Sequence, residues 1–307
     1  MTSIDEPQAA VSRPRPSGSP GLSRIRSATM AAARRRRRAA ALSAVAAAAL
    51  AVSVTAVAAA GPALAAKSPA ITVCPSGCDY TAIQDAINAA PSGGTITIAA
   101  GTYAGGLTVH KNLTLVGAGA SQTTISGGFV PIAIYVATVT ISGVTFSGGT
   151  DNYGAVETNF ATMTLRHCVV SGNTTGIGNL NGTMTLDDTT VSDNSERFVG
   201  AGGIYNSGGT LTLDHSTVSG NTASVDGGGI LNFGTVTLNH STVSGNTAAK
   251  DGGGIYNDRG TVTLNHSTVS GNTAGTDGGG IYSTSGTVNG AVAGVNVFGN
   301  QPDIVSM

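Results

Sequence analysis

The chain has 307 residues, of which 45 are glycine, 10% are charged and 4% are aromatic, and its formal net charge is −1. A typical globular domain has about 25% charged residues and about 7% glycine, so this chain is poor in charge and rich in glycine. Collagen is excluded because it needs glycine at roughly every third position. General disorder is disfavoured, since disordered chains combine low hydrophobicity with high net charge.

The N-terminal region, residues 1–65, has the pattern of an export signal. Five arginines, Arg34–Arg38, precede an apolar stretch over Ala39–Ala60, and the small-residue sequence Ala63-Leu64-Ala65 follows. This order of segments predicts a signal peptide cleaved after Ala65 and a secreted or extracellular protein. Because the arginines adjoin an apolar segment, they indicate export rather than nucleic-acid binding. A membrane association follows only if the signal segment is not cleaved, since its apolar stretch is long enough to span a bilayer.

Two cysteines, Cys74 and Cys78, flank a Pro-Ser-Gly turn shortly after the leader. In an oxidising compartment such a pair can close, so the spacing predicts a small disulfide loop. Zinc is the weaker alternative, because two thiols without nearby histidines leave half of the tetrahedral positions unfilled. The disulfide turn and a following cap helix make up a predicted segment, 66–94, ahead of a repeat region, 95–307.

A repeat of about 25 residues dominates the remaining chain, with GTVTLNHSTVSGNTA starting at Gly234 and again at Gly260. A repeat of this length indicates a solenoid, and its apolar residues alternate with Thr and Ser as in half-buried strands. Three short strands per repeat, bent at Gly and Asn, predict a parallel β-helix with strands about 4.8 Å apart. The asparagines that close successive repeats, expected to form an internal ladder, are Asn173, Asn194, Asn221, Asn246, Asn272 and Asn300.

The segment YTAIQDAINAAPSGGTITIAAGTY from Tyr80 resembles the start of right-handed parallel β-helices of the pectate-lyase-like superfamily. The VSGN and GGGIYN elements resemble the FxxN and GGAI repeats of polymorphic outer-membrane and adhesin-like proteins. The resemblance implies an all-β, right-handed parallel β-helix behind a short helix that covers its open apolar end. The residues on the apolar face of that helix are Ile83, Ala86, Ile87 and Ala90. Function stays open, because this architecture hosts lyases, hydrolases, tail spikes and adhesins.

Residues one repeat apart become neighbours in a β-helix, so candidate sites are columns. One bend collects carboxylates, imidazoles and an arginine, which together could bind a divalent cation or act as an acid–base pair. The candidate catalytic residues there are Arg166, Asp187, Asp188 and Asp214, and the candidate metal ligands are His167 and His215. A structural role is the alternative, because solvated bends accept Asp, Asn and His readily.

A second acidic column, Asp226, Asp251 and Asp277, directly precedes the triple glycines. Stacked carboxylates repel one another, so they are either screened by solvent or bridged by a hard cation such as calcium. Calcium is therefore a possible ligand, whereas the sequence indicates no required cofactor.

A stripe of tyrosines lies beside the GGGI elements: Tyr205, Tyr256 and Tyr282, with Leu231 between the first two. Exposed aromatic rows can stack on sugar rings, and they can equally pack beneath loops. The stripe supplies the candidate ligand-binding residues.

Three functions are consistent with these columns. The first is a non-catalytic repeat protein that binds a polysaccharide or cell-surface glycan, because near-identical repeats lack the local asymmetry of an active site. The second is a polysaccharide lyase or glycoside hydrolase at the bend cluster, although acidic sugars generally call for a positive cleft. The third is ice binding, which would be tested by whether the protein changes the shape of growing ice crystals. The candidate residues are the outward pairs Thr162/Thr164, Thr183/Thr185, Thr210/Thr212, Thr235/Thr237 and Thr261/Thr263.

Overall fold

The computed structural model describes residues 70–198, 200–302 and 305–306. The predicted signal peptide, 1–65, and its cleavage site lie outside the described residues. Within them the chain is almost entirely β-structure, with one short helix near the start. No helix in this part of the chain has the length and apolar character needed to cross a bilayer.

The elements follow one another in short steps. The first turns contain β1 Ile71–Val73, α1 Ile83–Ala89, β2 Gly94–Ile98, β3 Gly101–Ala104, β4 Leu107–Val109, β5 Leu113–Gly117, β6 Thr123–Ser126, β7 Ile132–Tyr135, β8 Thr138–Ser142 and β9 Thr145–Ser147. The middle turns contain β10 Val156–Asn159, β11 Thr162–Arg166, β12 Val169–Ser171, β13 Ile177–Leu180, β14 Thr183–Asp187, β15 Thr190–Ser192, β16 Ile204–Ser207, β17 Thr210–Asp214, β18 Thr217–Ser219, β19 Thr222–Ala223 and β20 Ile230–Asn232. The last turns contain β21 Thr235–Asn239, β22 Thr242–Ser244, β23 Thr247–Ala248, β24 Ile255–Asp258, β25 Thr261–Asn265, β26 Thr268–Ser270, β27 Thr273–Ala274, β28 Ile281–Thr284, β29 Thr287–Asn289, β30 Val297–Phe298 and β31 Val305–Ser306.

Successive strands enter different sheets, and each turn of the chain returns to the sheet it left. Sheet 1 has ten strands in the order β1-β2-β5-β8-β11-β14-β17-β21-β25-β29. Sheet 2 has the order β3-β6-β9-β12-β15-β18-β22-β26-β30, and sheet 3 has the order β4-β7-β10-β13-β16-β20-β24-β28-β31. A short fourth sheet contains β19, β23 and β27. The paired strands run parallel, which confirms the predicted parallel β-helix. The structure shows that it has about nine turns.

The register keeps like residues in line from turn to turn. Leu213 pairs with Leu238, which pairs with Leu264, and all three are buried. The adjacent outward positions, Thr212 and Thr237, pair in the same way. Because side chains alternate between faces, a slip of one residue would bring threonine into the core, and the hydrophobic pattern therefore fixes the register.

The helix α1 lies where the sequence predicts it. Its buried residues are Ile83, Ala86 and Ile87, and Ala90, which directly follows it, is also buried. All four belong to the same apolar core as the first strands. The apolar side chains on one face of the helix thus pack it against the start of the coil.

Cys74 and Cys78 form a disulfide bond with an S–S distance of 1.96 Å. The loop they close is held to β1 by Asp79, whose Oδ2 accepts hydrogen bonds of 2.8 Å from Thr72 N and Thr72 Oγ1. These hydrogen bonds to the charged form lower the pKa of Asp79.

The predicted asparagine ladder is present inside the coil. Asn221 N and Asn221 Nδ2 both donate to Asn246 Oδ1, at 3.0 and 2.9 Å, and Nδ2 also donates to Val191 O. Asn246 makes the same two bonds to Asn272 Oδ1. Each asparagine therefore joins its own turn to both neighbouring turns.

A second asparagine ladder, which the repeat alignment did not single out, lies on sheet 3. Asn206 Nδ2 donates to Asn232 Oδ1, and Asn232 Nδ2 donates to Asn257 Oδ1, both at 2.7 Å. Among the described residues, no buried side-chain nitrogen or oxygen lacks a hydrogen-bond partner. The two ladders supply many of the hydrogen bonds that these buried polar groups make.

Cys168 is buried in an inward polar column of the coil. Thr189 Oγ1 accepts from Cys168 N, and Ser216 Oγ accepts in turn from Thr189 N. Burial raises the pKa of the Cys168 thiol to about 11. Because the thiolate is the reactive form, this cysteine is inert near neutral pH.

Replacing Asn246 with alanine should destabilise the coil strongly. The change leaves the buried Asn221 N without an acceptor and takes one of two acceptors from Asn221 Nδ2, and an unpaired buried polar group costs about 1–3 kcal/mol. We expect the free energy of unfolding from chemical denaturation to fall by about 2–5 kcal/mol. Asn265→Ala is the matched control, because that amide bonds Asn239 Oδ1 on the exposed surface. Equal losses in the two variants would contradict a buried ladder.

Candidate functional site

An aromatic row runs along the outer face of sheet 3. Tyr205 pairs with Leu231, Leu231 with Tyr256, and Tyr256 with Tyr282, so the tyrosine stripe forms one column as predicted. The rings of Tyr256 and Tyr282 lie 5.4 Å apart between centroids. The column thus presents its side chains on a single face.

Two rings that the repeat did not reveal extend this row. Phe233 stands 6.0 Å from Tyr205 in an edge-on arrangement, two residues after Leu231. Tyr153 stands 6.0 Å from Tyr205 on its other side. We call the five residues Tyr153, Tyr205, Phe233, Tyr256 and Tyr282 the aromatic row.

The loop that carries Tyr153 is positioned by close backbone packing. A Cβ atom at Gly178 would collide with Tyr153 O, and one at Gly154 would collide with Gly178 N. Glycine at both positions lets the loop lie directly on the outer face of sheet 3. This close approach brings the Tyr153 ring beside Tyr205.

The aromatic row borders a groove. A cavity of about 380 Å³ is lined by Asn152, Tyr153, Phe198, Tyr205, Leu231 and Phe233. A second cavity of about 230 Å³ shares Leu231 and Phe233 and continues to Tyr256, with Asp226 and Asp258 on its rim. The groove is therefore apolar and aromatic along its floor and acidic at one end.

A buried carboxyl group lies in the same outward column. Glu157 pairs with Gly178, which pairs with Tyr205, and only 8% of Glu157 is exposed. Burial raises the pKa of Glu157, and the nearby charge of Asp151 adds to the rise, while a hydrogen bond from Asn159 opposes it. Neither Glu157 nor Asp151 lies in the repeated motifs, so the repeat analysis gave no signal for them.

The predicted catalytic cluster lies elsewhere, at the bend between sheets 1 and 2. Arg166 pairs with Asp187, and Asp187 with Asp214, at the ends of their strands. Arg166 Nε lies 3.6 Å from Asp187 Oδ2, and Asp188 Oδ2 lies 3.7 Å from His167 Nδ1. The structure therefore brings the four residues together, each carboxylate with a basic neighbour, on a solvated bend rather than in the groove.

The two predicted histidine ligands do not adjoin. Asp188 occupies the bend position of the turn between those of His167 and His215, as the strand pairing shows. His215 instead neighbours His240, and its Nδ1 lies 3.1 Å from Asp214 Oδ1.

The acidic column is held by backbone hydrogen bonds. Asp226 Oδ1 accepts from Asp251 N at 3.1 Å, and Asp251 Oδ1 accepts from Asp277 N at 3.0 Å. Burial raises the pKa of Asp226, with a smaller contribution from the charge of Asp251. These contacts give the aspartates a structural role without a bound cation, and calcium bridging stays a hypothesis.

The threonine pairs form two columns in register on sheet 1. Thr210 pairs with Thr235, and Thr212 with Thr237. The outward positions of sheet 2 are also small hydroxyl residues, as in Thr217 and Ser219. Threonine is a favoured outward residue on any strand, so the array by itself does not single out an ice-binding face.

Comparison with known protein families identifies the family to which this chain belongs. The sequence matches the family described as "Right handed beta helix region" over residues 132–297, more than half of the chain, and the protein belongs to that family. No curated protein matches the sequence.

Three solved structures are similar to this chain at low sequence identity. Pectin methylesterase from carrot is 13% identical with a TM-score of 0.51, over 74% of this chain and 85% of that one. The rice weevil enzyme is 15% identical with a TM-score of 0.42, over 73% and 90%. The Aspergillus niger enzyme is 16% identical with a TM-score of 0.42, over 74% and 87%. At this identity the carrot structure supports the β-helix fold alone, and the pectate-lyase-like and adhesin-like resemblances stay predictions.

The raised pKa of Glu157 predicts a pH dependence of stability. The folded state binds this proton more tightly than the unfolded state does, so the stabilisation is full below the ordinary carboxyl pKa of about 4.3 and is lost as pH rises through the raised value. In Glu157→Gln this loss should disappear. Chemical denaturation at pH steps from about 4 to about 7 should show a smaller decline in the variant than in the wild type. Asp188→Asn, at an exposed carboxylate, is the control, and parallel curves for Glu157→Gln and the wild type would contradict the prediction.

Proposed function

We propose that this protein is a secreted, non-catalytic β-helix that binds a polysaccharide along the groove of sheet 3. The aromatic row is the observation that carries the proposal. Sugar rings have apolar faces that stack on aromatic side chains, and the row offers rings at centroid spacings of 6.0, 6.0 and 5.4 Å. Secretion rests on the signal-peptide pattern of residues 1–65.

The repeat of the coil suits a polymeric ligand. Neighbouring turns are about 4.8 Å apart, a step comparable to the length that one sugar residue adds to an extended chain. Polar groups at the groove edge, Asn152, Asp226 and Asp258, can bond sugar hydroxyls. A linear glycan thus has both a stacking surface and hydrogen-bonding partners along one direction.

The charge of the groove favours a neutral polysaccharide. Asp226 and Asp258 lie on its rim, and the nearby Arg259 is already paired with Asp258 at 3.0 Å. An acidic polysaccharide would meet like charge there unless calcium bridged the carboxylates. We therefore expect retention on neutral chains, and on acidic chains only with calcium.

Removing one central ring tests the binding surface. Tyr205 contacts two other rings of the row, so Tyr205→Ala should weaken retention on the bound polysaccharide by about tenfold, equivalent to about 1.4 kcal/mol. Affinity electrophoresis across neutral and acidic polysaccharides, with and without calcium, measures it. Tyr205→Phe keeps the ring and should bind nearly as well as the wild type. Phe298→Ala, an exposed aromatic on sheet 2, is the control, and an equal loss there would refute the assignment of the surface.

An enzymatic alternative has one observation in its favour. Glu157 is a buried acid with a raised pKa, beside Asp151 and in the column of Tyr205. A pair of carboxyl groups is what acid–base hydrolysis of a glycosidic bond requires, and here both Glu157 and Asp151 are buried. This alternative places the acid–base pair near the groove, whereas the sequence analysis placed it at the bend.

A product assay separates the binding and enzymatic functions. The full chain is incubated with the same panel and with methyl-esterified pectin, following unsaturated products, reducing ends and methanol. The proposed function predicts no product above a heat-inactivated control. Product lost in Glu157→Gln would establish catalysis at the Glu157 carboxyl group, and product lost in Asp188→Asn would establish it at the bend cluster.

A further inference from the structure

Three histidines follow one another at the bend between sheets 1 and 2. His215, His240 and His266 occupy the same bend position in consecutive turns, and all three are exposed. Their φ angles are 48°, 48° and 50°, in the left-handed region. Because the backbone is the same at each position, the three side chains leave the coil in the same direction.

The imidazole rings are parallel and closely spaced. His215 and His240 have ring centroids 5.0 Å apart and an interplanar angle of 5°, and His240 and His266 have values of 5.1 Å and 4°. We call these three residues the histidine row. None of them belongs to the aromatic row, which lies on a different sheet.

One end of the histidine row also has a carboxylate. Asp214, His215 and His240 each offer a ligand atom, and these atoms lie within 4.8 Å of one another. Asp214 pairs with Asn239, and Asn239 with Asn265, so the carboxylate is replaced by an amide in the next two turns. The pair His215 and His240 therefore has a carboxylate beside it, whereas the pair His240 and His266 has only amides.

The geometry lies close to that of a metal site. With metal–nitrogen distances of about 2.0–2.1 Å, two ligand atoms on one ion lie at most about 4.2 Å apart. Small rotations of exposed side chains close the remaining difference. Imidazole with carboxylate suits zinc, copper and nickel, whereas calcium and magnesium prefer oxygen ligands alone.

We infer that Asp214, His215 and His240 form a binding site for one divalent transition-metal ion, with Cu²⁺ bound more tightly than Zn²⁺. This site goes beyond the proposed glycan binding and does not depend on it. The sequence predicts cation binding at this bend with His167 and His215 as ligands, and in the structure the histidine beside His215 is His240.

Asparagine is the substitution of choice at these positions. Asn and Asp tolerate the left-handed conformation better than other non-glycine residues, and this chain already has Asp188 there with φ 47°. His240→Asn and His215→Asn should therefore remove a ligand without straining the bend. An unchanged thermal unfolding midpoint in metal-free buffer checks this.

Titration of the full chain with Cu²⁺, followed by calorimetry and by electron paramagnetic resonance, tests the site. We expect one tightly bound ion with two nitrogen ligands, and affinity reduced by about tenfold or more in His215→Asn, His240→Asn and Asp214→Asn. His266→Asn, in the same row but without a carboxylate, should lose less than about threefold, and His110→Asn should lose nothing.

Three results would overturn the inference. The first is wild-type binding no tighter than that of a His215→Asn, His240→Asn double variant. The second is a loss in His266→Asn as large as that in His215→Asn, which would move the site to the pair without Asp214. The third is a signal with a single nitrogen ligand in the wild type.

Discussion

The bends of the coil impose the constraint on which the rest of the structure depends. Each turn folds back on itself several times, and the bends closed by the asparagines bring peptide and side-chain polar groups into an interior without water. The asparagine ladders answer this requirement, because the Oδ1 atom of Asn246 accepts two hydrogen bonds from Asn221 of the preceding turn. A turn that slipped by one residue would lose these hydrogen bonds and would at the same time expose its apolar side chains to solvent. Register and polar satisfaction are therefore the same condition, and the functional columns inherit their alignment from it.

The columns of side chains could be predicted from the sequence wherever the repeats are regular. From Gly182 onward the motifs are close to identical, and the columns read from them, such as Tyr256 beside Tyr282 and Asn239 beside Asn265, agree with the strand pairing. Regular spacing makes one-dimensional alignment equivalent to three-dimensional adjacency. At the bend the same alignment sets Asp188 in the turn between those of His167 and His215, and the strand pairing agrees.

The groove could not be predicted in the same way, because it lies where the repetition fails. Tyr153 belongs to a loop that folds across Gly178, and Phe233 occupies a position that is Asp258 in the next turn. Glu157 is buried although it stands in an outward column. No periodic pattern encodes a loop laid over a sheet. The irregular turns thus create the concavity, and the regular turns extend its aromatic floor.

Three kinds of side chain are stacked at the same spacing between turns, about 4.8 Å, and each kind adopts a different arrangement. Asparagine spans it inside the coil, because its amide both donates and accepts along the axis. Tyrosine and phenylalanine rings tilt against one another by 31° to 71°, because the quadrupoles of aromatic rings disfavour face-to-face stacking. Imidazoles stay parallel and slightly too far apart to share an ion until exposed side chains rotate. Only a surface column has that freedom, which is why the histidines can act as ligands at the bend whereas the buried columns serve the fold.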